Sequence, residues 1–269
     1  MPFIAVACAL IALWLFLIWP NPGRGRMAAW RGRRFAHRGL HDARKGIVEN
    51  TPDAFEAACQ AGVGIELDIQ FTRDMRVVVF HDDDLARLTG DSRMVRDVTL
   101  EELRAMPLSG VRTARVPTLA EVLRQVDGRA PLLIELKNGR ANDRLCRALM
   151  EQLRGYRGEY IVESFSPLIV RWFKKRAPEV MRGQLVCPLS GYGKAINALG
   201  GFVLANLLLN ALGRPDFVAY DVNAVRFFAP KAQRALFRTP MAAWTVNTMP
   251  VAALVEARGE MCIFERIRP

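Results

Sequence analysis

Three histidines occur in the chain, His37, His41 and His81. His37 ends the apolar-flanked run Arg33–His37, and His81 ends the run Val77–His81. An imidazole takes up or releases a proton near neutral pH, so two of them brought to one place suit general acid–base catalysis. His41 lies in a polar stretch before Lys45 and carries no such signal.

Carboxylates supply the second half of the pattern. Residues 64–71 alternate polar and apolar, placing Glu66, Asp68 and Gln70 on one face and Leu67, Ile69 and Phe71 on the other. Glu135 follows the apolar run Leu132-Leu133-Ile134. Three buried carboxylates in one place repel and need a counter-charge. A hard divalent cation, Ca²⁺ or Mg²⁺, answers that need with oxygen ligands, so Glu66, Asp68 and Glu135 are the candidate metal ligands. Lys137, two positions beyond Glu135, points the same way and suits a phosphate oxygen or Glu135 itself. Arg38, next to His37, is the other candidate phosphate contact.

The elements that must position these residues alternate along the chain. Strand character is read at residues 33–37, 64–69, 131–136, 160–164, 182–186, 216–220, 242–246 and 261–265, with amphipathic segments between. Asn50-Thr51-Pro52 offers a helix cap with Pro in the first turn. Thr99 with Glu102, and Thr118 with Glu121, each fit a capping box. Eight strands separated by helices predict an α/β fold, a (β/α)8 TIM barrel over residues 33–269. A doubly wound sheet would carry a Gly-rich phosphate loop after its first strand, and His37-Arg38-Gly39 is not one. Residues 64–71 and 77–81 lie too close for a parallel crossover and predict an antiparallel hairpin. A turn centred between Asp74 and Met75 would set Asp68 opposite His81.

In this order the motifs resemble the glycerophosphodiester phosphodiesterase family. The matching residues are His37-Arg38-Gly39, Glu49-Asn50-Thr51, Glu66-x-Asp68, Thr72-x-Asp74, His81-Asp82, Leu85-x-Arg87-x-Thr89, Pro117-Thr118-Leu119, Glu135-x-Lys137, Ser164-Phe165 and Trp244-Thr245-Val246-Asn247. The resemblance implies a TIM barrel and one divalent cation on Glu66, Asp68 and Glu135. It also implies a His37/His81 acid–base pair, phosphate contacts from Arg38 and Lys137, and Trp244 walling the substrate pocket. The implied reaction cleaves glycerophosphodiesters, or lysophospholipids, to glycerol 3-phosphate (or lysophosphatidic acid) and an alcohol. Two positions depart from the family pattern. Phe264-Glu265 stands where Thr-Asp is common, and Asp74-Met75 where Asp-Gly is usual.

Hydrophobicity and charge suggest a membrane. Residues 3–19 carry no charge, and residues 1–22 predict an N-terminal transmembrane anchor about 26 Å long over its apolar part. Arg24, Arg26, Arg31, Arg33 and Arg34 follow in a basic linker, residues 23–32 and just beyond, and none precedes the anchor. The positive-inside bias then places the catalytic domain in the cytoplasm, with these arginines near an anionic leaflet. Five scattered cysteines without CxxC spacing agree with a reducing compartment. A second uncharged run, residues 195–213, cannot be a lone span within a closed barrel and is expected as an interfacial or ordinary barrel helix. The net charge of +11 does not imply nucleic acid, since no zinc finger, RNP motif or basic–aromatic stripe accompanies it. The alternatives are a phospholipase of the same barrel type acting on membrane lipids, and an inactive membrane-tethered binding module.

Overall fold

In the computed structural model, residues 2–21, 23–192, 196–223 and 228–267 are described, without the side chain of Arg24. Ala195 of the second apolar run and Pro22 at the end of the expected anchor lie outside them. Eight parallel strands close into a barrel: β1 (Arg34–Ala36), β2 (Gly64–Phe71), β4 (Leu132–Leu136), β5 (Tyr160–Ser164), β6 (Arg182–Val186), β7 (Phe217–Asp221), β8 (Met241–Val246) and β9 (Met261–Phe264). β1 pairs with both β9 and β2, which seals the ring. The predicted strands match these to within two residues at each end. Between the strands pack α2 (Pro52–Gln60), α5 (Leu119–Val126), α6 (Asn142–Gln152), α7 (Pro167–Arg176), α10 (Phe228–Phe237) and α11 (Met249–Ala257). In the stretch beyond β2 lie the short α3 (Ala86–Thr89) and α4 (Leu100–Arg104), and both predicted capping boxes form, at Thr99 before α4 and at Thr118 before α5. Thr51 takes the N-cap position of α2 with Pro52 after it, but its hydroxyl donates to the Val48 carbonyl instead of capping.

The hairpin return β3 (Val77–Val79) runs antiparallel to β2 with Ile69 opposite Val79 and Phe71 opposite Val77. The register is one residue from the expected one, so the Asp68 carbonyl accepts from Phe80, not from His81. The turn causes the slip. Met75 adopts φ 58°, Thr72 Oγ1 donates to Asp74, and the Thr72 amide reaches the Arg76 carbonyl. Beyond β3, a small satellite core gathers Val78, Phe80, Leu85, Leu88, Val95, Val98 and Leu103 and carries His81 at its edge.

The basic linker closes the barrel floor. Residues 24–30 form a 3₁₀ helix whose Met27 and Trp30 are buried with Phe35, Leu133, Ile161, Phe217, Met261 and Ile263 inside the ring. Trp30 stacks on Phe35 at 6.1 Å. Three of the five arginines expected at a leaflet have partners within the protein, while the side chain of Arg24 lies outside the described residues. Arg26 donates to the carbonyls of Pro178 and Glu179, Arg33 pairs with Glu159, and Arg34 pairs with Glu256.

The expected transmembrane anchor requires correction. α1 (Pro2–Ile18) has 17 residues, and no helix among the described residues is long and apolar enough to cross a membrane. Its last turns dock on the barrel. Trp14 meets Phe228 at the start of α10, Trp19 meets Phe237 at its end, Ile18 is fully buried, and Arg214 donates to the carbonyls of Phe16 and Trp19. α1 therefore runs alongside α10, from the end of the barrel where strands finish towards its floor. Residues 2–13 are all exposed and extend about 18 Å past that docking point. The second apolar run breaks into α8 (Ala198–Ala205) and α9 (Asn210–Gly213). Between them Leu207 takes φ 57° and is buried in the core, while Leu199 and Phe202 stay exposed.

Candidate active site

Inward-facing positions alternate along each strand, so the last inward residues gather where the strands end. β2 presents Glu66 and Asp68, and β4 presents Glu135 beside Asp68 in register. These three carboxylates are buried, and one oxygen of each lies within 4.8 Å of the others. Lys137, just past β4, bridges two of them, with Nζ 2.7 Å from Asp68 Oδ1 and 2.8 Å from Glu135 Oε1. The Glu66 Oε2 atom accepts from the Arg38 amide at 2.8 Å, and Asp68 Oδ2 accepts from Asn50 Nδ2 at 2.9 Å.

The electrostatics follow from burial. Burial, reinforced by the charges of Asp68, Glu135 and Glu163, pushes the Glu66 carboxyl well above its usual range. Burial also raises Glu135, against the pull of Lys137. For Asp68 burial acts upward too, but Lys137, His81 and Arg38 together outweigh it and hold the group low. Glu163 on β5, beside Glu135 in register, is a fourth buried acid raised mainly by desolvation, and its Oε2 has no hydrogen-bond partner. Such a donor set, oxygen-only and short of positive charge, fits a hard divalent cation.

Each catalytic candidate histidine is tied through Nδ1 to a carboxylate. His37 Nδ1 lies 2.8 Å from Glu265 Oε2, and His81 Nδ1 lies 2.7 Å from Asp82 Oδ1. Glu265 is ionised, lowered to about 2 chiefly by that bond to His37. An ionised carboxylate only accepts, so Nδ1 carries the ring proton and Nε2 is the free nitrogen. Desolvation lowers the His37 pKa below its ordinary value despite Glu265. Asp82 is held low by His81 and Arg87, which outweigh its burial.

Arg38, at φ 57°, turns its guanidinium to Glu49 at 2.7 Å, with Nε 3.9 Å from Asp68. That Nε is buried without a hydrogen-bond partner, a donor left over for an anion. Arg87 joins the two halves, donating to both Glu49 oxygens and to Asp82. Trp244 lies in the second half of β8 and packs edge-on against Phe165 at 5.7 Å. All eight residues singled out from the sequence, His37, His81, Glu66, Asp68, Glu135, Arg38, Lys137 and Trp244, thus belong to the strand-end face of the barrel. Sequence reasoning assigned no role to Asn50, Glu49, Asp82, Arg87 or Glu163. The first four stood within the matching motifs, whereas Glu163 had no signal beyond its place on an apolar strand.

A profile of the glycerophosphoryl diester phosphodiesterase family matches residues 37–265. The YhdW protein of Bacillus subtilis is 32% identical over 83% of this chain and 90% of its own length. Glycerophosphodiester phosphodiesterase 1 of Bos taurus is 27% identical over 92% of this chain and 82% of its own. Among solved structures, an Oleispira antarctica phosphodiesterase in complex with the product sn-glycerol-3-phosphate superposes with a TM-score of 0.69 at 21% identity, covering 88% of this chain and 93% of that one. A glycerophosphodiester phosphodiesterase from Thermotoga maritima gives 0.63 at 24% identity, covering 86% and 93%.

Proposed function

We propose, from the premise that this chain belongs to the glycerophosphoryl diester phosphodiesterase family, that it hydrolyses glycerophosphodiesters by paired histidine acid–base catalysis. The observation that carries the mechanism is the matched pair of dyads, His37–Glu265 and His81–Asp82, on the rim of the carboxylate cluster. Glu66, Asp68 and Glu135 would hold one divalent cation, Ca²⁺ or Mg²⁺, which when bound neutralises phosphodiester charge and stabilises the pentavalent transition state. Arg38 Nε and Lys137 Nζ bind phosphate oxygens. His37, kept neutral by burial, accepts the proton of the attacking water or glycerol hydroxyl as the new bond to phosphorus forms. His81, in its imidazolium form with Asp82 accepting from Nδ1, donates its Nε2 proton to the alcohol oxygen as the bond to phosphorus breaks; where the glycerol hydroxyl attacks, the pair exchange roles and water opens the cyclic phosphate. Trp244 and Phe165 wall the pocket on the substrate side.

The test is turnover of glycerophosphocholine and glycerophosphoethanolamine, with Ca²⁺ and Mg²⁺ each added back after chelation. His37→Ala and His81→Ala should each abolish turnover in folded protein, and full activity in either overturns the assignment.

Lysophospholipids are proposed as further substrates, supported by apolar surface near the mouth. Phe3, Ile4, Leu10 and Leu13 on the projecting half of α1 are exposed, as are Leu199 and Phe202 on α8, which follows β6 at the same end of the barrel. A helix that projects about 18 Å suits insertion into one leaflet, roughly half of a 30 Å hydrocarbon core. The five free cysteines support a cytoplasmic barrel. Replacing Leu10 and Phe202 with Asp should reduce vesicle co-flotation and lysophospholipid turnover while sparing water-soluble diesters. Unchanged flotation refutes the leaflet reading.

A further inference from the structure

The floor of the barrel, at the opposite end from the histidines, carries a cavity of about 490 Å³. Its walls come from three separate stretches: the 3₁₀ segment before β1, the end of α10, and the turn between α11 and β9. Four arginines line it, Arg31, Arg234, Arg238 and Arg258, with a single carboxylate, Glu260. Glu260 pairs with only one of them. Its Oε1 accepts from Arg234 Nε at 2.6 Å and its Oε2 from the Tyr220 hydroxyl at 2.6 Å. Arg31, Arg238 and Arg258 make no ion pair among the described residues. Trp30 and Met261 give the cavity an apolar side.

Three uncompensated guanidiniums around one recess repel each other, and the arrangement costs least when a multiply charged anion sits between them. Planar guanidinium forks match phosphate oxygens in pairs. The volume is in the range of small-ligand sites. We infer that this cavity is a second binding site, distinct from the catalytic mouth, for a soluble phosphate-bearing anion with two or more negative charges. A lipid headgroup shares that chemistry, but the projecting half of α1 and the exposed face of α8 lie at the other end of the barrel, so a bilayer meeting them leaves the floor facing water.

Inorganic pyrophosphate is the probe, measured by calorimetry in protein carrying Arg38→Ala to weaken the mouth. This protein should bind one equivalent. Adding Arg238→Ala and Arg258→Ala, both exposed positions, should weaken that binding at least tenfold. In a wild-type background the same pair should leave glycerophosphocholine hydrolysis unchanged. Equal affinity with and without the two floor arginines, or no binding at all, overturns the site. Binding lost only on Arg38→Ala would assign the anion to the mouth and also overturn it. Vesicles containing phosphatidylglycerol form the second arm. Flotation that depends on Arg238 and Arg258 would replace the soluble ligand with a lipid headgroup and refute the proposal as stated.

Discussion

Replacing Glu265 with Gln isolates what the carboxylate contributes beyond a hydrogen bond. The amide oxygen still accepts from His37 Nδ1, so the ring keeps its tautomer. What disappears is a negative charge 2.8 Å from the ring at the moment His37, as the proposed base, becomes imidazolium. A hydrogen bond to a charged group contributes about 1.5–3 kcal/mol, which predicts a fall in kcat of roughly 10- to 150-fold. Glu265 contacts His37 and not the phosphate-binding side chains, so KM should stay within about twofold. The pH profile gives the sharper reading. Glu265 raises the His37 pKa against burial, so its loss lowers that pKa further and moves the acidic limb of kcat/KM to lower pH. The assay is steady-state hydrolysis of glycerophosphocholine from pH 5 to 9, with Glu265→Asp as the variant that should restore part of the rate. A kcat within twofold of wild type, or a uniform loss with the acidic limb unmoved, refutes the positioning role.

Glu265 should also leave a mark on stability. Its pKa is depressed to about 2 in the folded protein, so its contribution is complete above its unfolded value and is lost as pH falls from about 4.5 towards 2; the gap in Tm between wild type and Glu265→Gln should close over that window. Gly39 has φ 79°, and an added Cβ would stand 2.8 Å from Ala54 Cβ and 2.9 Å from its carbonyl carbon. Gly39→Ala should therefore cost about 2–4 kcal/mol in denaturant unfolding and displace the Arg38 amide from Glu66. Trp30→Ala should cost about 3–5 kcal/mol, although Trp30 lies outside the catalytic mouth. A divalent ion at 100 times its Kd should stabilise the protein by about 2.7 kcal/mol, and Glu66→Gln should abolish that rise in thermal scans.

The barrel was legible because parallel strands covered on both faces read as short apolar runs, and eight such runs lie between capped helices. The gathering of the candidate residues was legible because they stand at strand ends, where inward and outward positions follow from alternation alone. What failed was geometry that alternation does not encode. The hairpin register turned on Met75 accepting a left-handed conformation that its side chain gives no hint of. The N-terminal helix looked like a membrane span because absence of charge does not distinguish a lipid-facing helix from one whose Trp14, Ile18 and Trp19 dock on α10. Arg33 and Arg34 looked like part of a leaflet anchor because their partners, Glu159 and Glu256, are more than a hundred residues away in the chain. Leu207 reads as part of an apolar surface in sequence and is core in the fold. Glu163 is a charge on an otherwise apolar strand, and only the neighbouring strand shows that it faces Glu135.

The stopper at the barrel floor sets the order in which the protein can be made. Met27 and Trp30 emerge from the ribosome before any barrel strand, yet they bury against Phe217, Met261 and Ile263, on strands made late in the barrel. β1 likewise waits for β9. At about 5–20 residues per second, the interval between them is tens of seconds at the slower end, during which Trp30, Phe35 and the apolar α1 have no final partner. Ring closure is thus a late event of high contact order, and the nascent chain spends that time with these apolar segments uncovered, available to a chaperone before the barrel exists.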